Sequence, residues 1–194
     1  MQESKVNGCG KYDYPHIEWD DPRCLCPFPA AGSAQDLLNA RVTWWGENLQ
    51  GALSSPVKVV DESGREVHGK LVYSPHTYGP SVFDQPVFSA DNFPANMPAI
   101  WDIQYGMLRA AGQAVVVGEW GGKLRGSDAV WQDRFSTYLA ASGIGSFYWS
   151  LNPESADTGG LYTEWGVADA AKLDLTAKLR TTKVPASHRG ERRI

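Results

Sequence analysis

The stretch Ala114-Val-Val-Val-Gly-Glu-Trp-Gly-Gly122 constrains the fold of this chain more than any other. Four small or β-branched apolar residues in succession read as a strand buried on both faces, the habit of parallel sheets covered by helices. The run stops at a carboxylate, Glu119, with glycines close on either side. Glycine lets the backbone bend sharply there and lets another group approach closely. A carboxylate at the C-terminal end of a buried parallel strand sits where α/β folds present reactive side chains. The plainer reading of Glu119 is a helix-capping or surface-loop carboxylate, and the run alone does not separate the two.

The neighbouring pattern extends the argument. Lys70 to Pro75 is a strand candidate. Pro94 to about Ala111 follows as a helix, with Met97, Ile100, Trp101, Leu108 and Ala111 near one stripe and Pro94 in its first turn. After the Ala114–Glu119 strand, Asp128 to Ser142 is the clearest helix. It carries Val130, Trp131, Phe135, Tyr138 and Leu139 on one side and stops at Gly143. Ile144 to Trp149 is a further strand and Ala168 to Arg180 a last helix. Alternating strands and helices predict an α/β class, with βαβ units around a parallel sheet.

Composition narrows function. The 194 residues are 42% hydrophobic and 21% charged, with a formal net charge of −4, an ordinary globular balance for one domain. The only basic cluster is Arg189, Arg192 and Arg193, a short solvated tail, so nucleic acid is not a predicted partner. No apolar stretch approaches the roughly 20 residues of a membrane span, and the first residues lack the apolar core of a signal peptide. As written, the chain would stay in the cytosol. Cys9, Cys24 and Cys26 are an odd number, and with His16 they do not match zinc spacings, so no metal is predicted. They read equally well as one loop-stapling disulfide with a spare thiol or as free thiols. Eight tryptophans and eight tyrosines are many for this length; such a surplus fills cores but also suits stacking on sugar rings. The chain divides into a loop-rich segment at 1–40, an α/β region at 41–184 and a basic tail at 185–194.

Two of the three core strands end in polar side chains and the third in an aromatic: His76 and Tyr78, then Glu119, then Trp149. Reactive groups at several strand ends fit the top of a (β/α) barrel better than a doubly wound sheet with one switch point. Taken singly, His76 reads as a structural histidine, and Tyr78 and Trp149 as core aromatics. Together they make a set in which a His and a Tyr aim a carboxylate and an indole floors a sugar site.

Five segments carry a specific resemblance: Trp44-Trp-Gly-Glu-Asn-Leu-Gln-Gly51, Leu71-Val-Tyr-Ser-Pro-His-Thr-Tyr78, Asn96-Met-Pro-Ala-Ile-Trp101, Val117-Gly-Glu-Trp-Gly121 and Tyr148-Trp-Ser-Leu-Asn-Pro-Glu-Ser-Ala-Asp-Thr-Gly-Gly160. In this order, over about residues 42 to 180, the chain resembles the C-terminal half of a glycoside hydrolase family five cellulase, about strands five to eight of a (β/α)8 TIM barrel. Val6-Asn7-Gly8 resembles a remnant of the fifth strand. The resemblance implies a retaining endo-β-1,4-glucanase acting on β-glucan polysaccharide or oligosaccharide, without cofactor. It implies Glu119 as nucleophile, His76 and Tyr78 as its supports, and Trp149 as the sugar platform. Trp44, Trp45 and Asn152 fall in cleft-lining segments. The parent protein is then expected to be secreted.

The resemblance also exposes a gap. Its acid/base glutamate stands in an Asn-Glu-Pro triplet, which occurs nowhere in these 194 residues; Asn152-Pro153-Glu154 has the letters in another order, and Glu47 lies after the relevant strand. A complete barrel needs about 250 residues. The chain is therefore expected to be a fragment, inactive or nearly so and poorly folded alone, with the missing N-terminal half of the same domain as its partner. Binding without hydrolysis, or pairing of half barrels, are the alternatives.

Overall fold

A computed structural model of the chain describes residues 45–179. The segments 1–40 and 185–194, with His16, the three cysteines and the basic tail, lie outside the described residues, as does Trp44.

Three extended segments run parallel: residues 71–78, β1 (Val116–Trp120) and β2 (Gly145–Tyr148). The first joins β1 through bridges Tyr73↔Val115 and His76↔Glu119, with Gly118 N–H donating to Pro75 O at 2.8 Å and Thr77 N–H to Glu119 O at 3.0 Å. Pro75 has no N–H to give the ladder, which accounts for isolated bridges in place of a regular strand. A bent helix connects this segment to β1. It comprises α2 (Met97–Trp101), a π turn (Asp102–Gly106) and α3 (Met107–Ala110), after a short α1 (Gly51–Ser54). The long helix α4 (Ser127–Ser142) connects β1 to β2, and α5 (Ala170–Thr176) follows a small antiparallel hairpin of β3 (Tyr162–Glu164) and β4 (Val167–Ala168).

The predicted alternation of strand and helix is therefore present, with local differences. β1 is not buried on both faces: Val117 and Trp120 are inaccessible, Val115 and Val116 are half-buried and Ala114 is exposed. Pro98, not Pro94, occupies the first turn of the bent helix, and Pro94 follows a cis peptide bond. Ala111 and Val130 leave their predicted stripes for solvent. The last helix runs Ala170–Thr176, shorter than 168–180; Asp169 caps its start, accepting from Lys172 N–H at 3.1 Å. The stop of α4 at left-handed Gly143 matches the reading.

The core is aromatic. Trp131 stacks on Phe135 with centroids 4.9 Å apart, and Trp101 and Trp120 meet Phe135 edge-on at 4.7 and 5.3 Å. Aromatic pairs of this geometry add to their burial energy. Of the six tryptophans among the described residues, Trp101, Trp120 and Trp131 are wholly buried, so half of the apparent surplus is core.

Among the described residues the parallel ladder has three members and does not close into a barrel. The strand face turned away from α4 stays open: Phe147 is 65% exposed and Val72 54%. The loop between β2 and β3 is closed at its neck by Leu161 N–H donating to Ser150 O at 2.7 Å and Tyr162 N–H to Leu151 O at 3.1 Å. It is stapled from below by buried Lys172, whose Nζ donates to Thr158 O at 2.7 Å and Gly160 O at 2.8 Å. Burial pushes this ammonium below its ordinary pKa, with Asp169 pulling the other way.

Candidate active site

The open rim of the ladder is where the strand ends converge. Val117 pairs with Ser146 and Trp120 with Tyr148, so three residues of β1 advance against two of β2. That is a bulge, and bulges re-aim side chains next to functional sites. Val117 and Trp120 both belong to the buried cluster that holds Trp131 and Phe135 of α4. Strict alternation cannot place residues three apart on one face. The extra residue at Gly118–Glu119 turns Glu119 away from the helix layer and toward His76 and Tyr78.

There the Tyr78 hydroxyl donates to Glu119 Oε2 at 2.7 Å, and His76 Nδ1 lies 3.4 Å from the same oxygen. Among the described residues no hydrogen-bond donor reaches Oε1. Tyr78 is 2% exposed, and its burial, reinforced by the hydrogen bond to and charge of Glu119, raises its pKa above the ordinary phenol value. The phenol therefore stays a donor through neutral pH. The Glu119 and His76 side chains remain about a quarter exposed, open to a reactant.

Two glycines permit this packing. A Cβ on Gly118 would stand 2.3 Å from Ser74 Oγ and 2.8 Å from His76 Nε2, and one on Gly121 would stand 2.3 Å from Trp149 O. Gly118→Ala is expected to shift the His76 ring while leaving the core intact. A displacement of that order costs about 10²-fold in a positioned reaction. A His76 imidazole whose NMR shifts match the parent's, beside an unchanged melting temperature, would contradict this.

Trp149 follows β2, donates its N–H to Trp120 O at 2.7 Å and leaves its ring 44% exposed beside the rim; the Trp149–Ser150 peptide is cis. Trp45 is 47% exposed, in a turn held beside the first strand by His76 N–H donating to Gly46 O at 3.3 Å. Asn152 faces its own loop: Oδ1 accepts from Ser150 Oγ at 2.8 Å and Nδ2 donates to Glu154 at 3.3 Å. The structure thus joins Glu119, His76 and Tyr78 directly, with Trp149 at the next strand end.

Sequence reasoning missed the support beneath the rim. Asp128, at the first turn of α4, accepts from Leu124 N–H at 2.8 Å and Gln132 Nε2 at 2.7 Å. Gln132 Oε1 accepts from the Tyr148 hydroxyl at 3.0 Å. The signal was a polar i, i+4 row, Asp128, Gln132 and Ser136, all buried beside the apolar stripe. Glu47, set aside at first, is a 2% exposed carboxylate that accepts from Thr77 Oγ1 at 2.9 Å and Gln85 Nε2 at 3.3 Å. Thr77 alternates with His76 and Tyr78, so this pair lies on the opposite face of the strand from Glu119. Among the described residues no group of three or more His, Cys, Asp or Glu is disposed to hold a metal, and no helix is long and apolar enough to cross a membrane.

Comparison with known proteins identifies the family. The family model for cellulase, glycosyl hydrolase family 5, matches residues 24–155. An endoglucanase of Paenibacillus polymyxa is 39% identical over 153 residues, 76% of this chain and 37% of the relative. The major extracellular endoglucanase of Xanthomonas campestris is 41% identical over 141 residues, 70% of this chain and 28% of the relative. Among solved structures, the hyperthermophilic endocellulase of Pyrococcus horikoshii superimposes with a TM-score of 0.63 at 38% identity, covering 70% of this chain and 36% of that one. The catalytic domain of the Xanthomonas enzyme gives 0.63 at 39%, with 70% and 38% covered. The chain spans between 28% and 38% of the length of these relatives, and they point to a (β/α)8 barrel as the parent fold. By sequence and by superposition alike, the chain belongs to glycosyl hydrolase family 5, the cellulases.

Proposed function

We propose that this chain carries the nucleophile part of a retaining β-1,4-glucan hydrolase, with Glu119 attacking the anomeric carbon. The observation that carries the reading is the single oxygen of Glu119 engaged by both Tyr78 and His76 at adjacent parallel strand ends. The Tyr78 hydroxyl fixes the carboxylate through Oε2 and leaves Oε1 to form the glycosyl bond. His76 Nδ1 stands 3.4 Å from the same oxygen, close enough to pair with it. Trp149 stacks beneath the reacting sugar, with Trp44, Trp45 and Asn152 along the cleft. The substrate class is supported by the cellotetraose complex solved for the Pyrococcus endocellulase, which is 37% identical. Export of the parent protein is supported by its extracellular Xanthomonas relative.

A retaining glycosidase also needs a second carboxyl group about 5–5.5 Å from the nucleophile to protonate the leaving oxygen. Glu47 does not serve, being buried on the opposite face. The described strands are proposed to be part of strands five to eight of the barrel, with the acid supplied by the other half. The exposed Phe147 and Val72 support this, since barrel interiors are filled by such side chains. The same face would equally receive a separate half chain.

The test separates the two carboxylates. A 2,4-dinitrophenyl 2-deoxy-2-fluoro-β-cellobioside carries a leaving group that departs without protonation. The chain is expected to release dinitrophenolate once and to gain one fluorocellobiosyl group on the peptide containing Glu119. It is expected to leave polymeric glucan uncut. Label on another residue, or none, would overturn the assignment. Tyr78→Phe is expected to slow labelling roughly 10–100-fold, the worth of a hydrogen bond to a charged acceptor. An unchanged rate would remove Tyr78 from the site.

A further inference from the structure

Three of the six described tryptophans are exposed, and two, Trp45 and Trp149, already have places along the cleft. The third is Trp165, 65% exposed in the turn between β3 and β4. An exposed indole on a hairpin turn ordinarily has rotational freedom. This one does not: its Nε1–H donates to Glu154 Oε1 at 2.6 Å, and Tyr162 lies against it with centroids 6.3 Å apart. Glu154 is held in turn, Oε2 accepting from Asn152 Nδ2 at 3.3 Å, and Asn152 Oδ1 accepts from Ser150 Oγ at 2.8 Å. A continuous run of side-chain hydrogen bonds therefore links Ser150, next to Trp149, to Trp165 across the loop that Lys172 staples.

We infer that Trp165 and Glu154 form a second glucan-binding platform outside the cleft, taking a glucose unit of a chain that also occupies the Trp149 site. The indole's one polar atom is already satisfied, so its exposed surface offers apolar area to the C–H face of a pyranose. The carboxylate of Glu154 takes hydrogen bonds from Asn152, Trp165 and its own backbone N–H, and a lone-pair site left over accepts from an equatorial hydroxyl of the sugar. A rigid aromatic beside a fixed acceptor is a low-entropy way to hold a ligand, since little ordering remains to be done on binding. The inference rests on the cleft reading for the identity of the ligand, but on separate residues for its site.

The experiment compares the 194-residue chain with Trp165→Ala and Trp149→Ala, using titration with cellotriose and affinity electrophoresis in hydroxyethyl cellulose. Trp165 is exposed and is not a member of the buried aromatic cluster, so its variant is expected to melt with the parent. Trp165→Ala is expected to weaken retention by the polymer about fivefold or more while leaving cellotriose affinity unchanged, as loss of a binding hot spot does. Trp149→Ala is expected to weaken both. Polymer retention of Trp165→Ala within about twofold of the parent, with Trp149→Ala impaired, overturns this platform and leaves the cleft standing. Impairment of Trp165→Ala alone overturns the shared chain and the cleft with it. A chain that no glucan retains overturns both.

Discussion

Glu119→Gln is expected to lower the glycosylation rate with the activated fluorocellobioside by at least about 10⁴-fold, the scale of losing a covalent nucleophile. The amide is nearly isosteric with the carboxylate, and its oxygen still accepts from the Tyr78 hydroxyl. The local packing therefore survives while the attacking lone pair is lost to amide resonance. On the proposed reading, an oxygen of Glu119 would form a bond to the anomeric carbon as the bond to the dinitrophenolate oxygen breaks. Because that anion departs unprotonated, the measurement does not depend on a general acid. Single-turnover release of dinitrophenolate, with mass analysis of the labelled peptide, reads the step directly. A fall of less than about tenfold would mean another group attacks.

Stability is expected to collapse above pH 10. Burial raises the pKa of Tyr78, Tyr105, Tyr138 and Tyr148 above the ordinary phenol value, and nearby carboxylates (Glu119 at Tyr78, Asp102 at Tyr138) add to it. An unfolded tyrosine titrates near 10, so above that pH the unfolded chain has lost protons that the folded chain still holds. The folded state is then the proton-rich one, and its stability falls as pH rises. Each such group contributes up to about 1.4 kcal/mol per pH unit, so four together reach roughly 5 kcal/mol per unit. Lys172, with its lowered pKa, works in the opposite direction but is a single group. Denaturant unfolding between pH 8 and 11, followed by circular dichroism, tests this. A flat profile through pH 10 to 11 would show these phenols to be solvated.

The parallel order of strands and the meeting of Glu119 with His76 and Tyr78 were legible because a strand-end rule acts on them. Each residue closes an apolar run, and parallel pairing brings such closures to one rim. The bulge that aims Glu119 was not legible. Gly118 has no side chain to mark a face, so an extra residue between Val117 and Trp120 leaves no visible break in the alternation. Val117 and Trp120, three apart and both buried, reveal it only once burial is known. Glu47 was hidden for a different reason: its partner Thr77 is 30 residues distant, beyond any local pattern. Trp165 escaped notice because a single aromatic in a turn looks unremarkable until its N–H is seen on Glu154. The count of tryptophans misled in part, since Trp101, Trp120 and Trp131 serve the core alone.

The Lys172 staple has a bearing on how this loop can change over time. Its ammonium grips Thr158 and Gly160 through their main-chain oxygens, which every amino acid provides. The staple itself is thus blind to which side chains stand between Asn152 and Asp157, while Ser155 and Asp157 brace the turn through hydrogen bonds with each other and with Thr158. Substitution at the tip that spares Ser155 and Asp157 is expected to change what the rim presents without loosening the staple. Replacement of the one lysine would put the whole segment at risk. A library varied at the tip and fixed at Lys172 is the economical starting point for altering polysaccharide preference in this branch of the family.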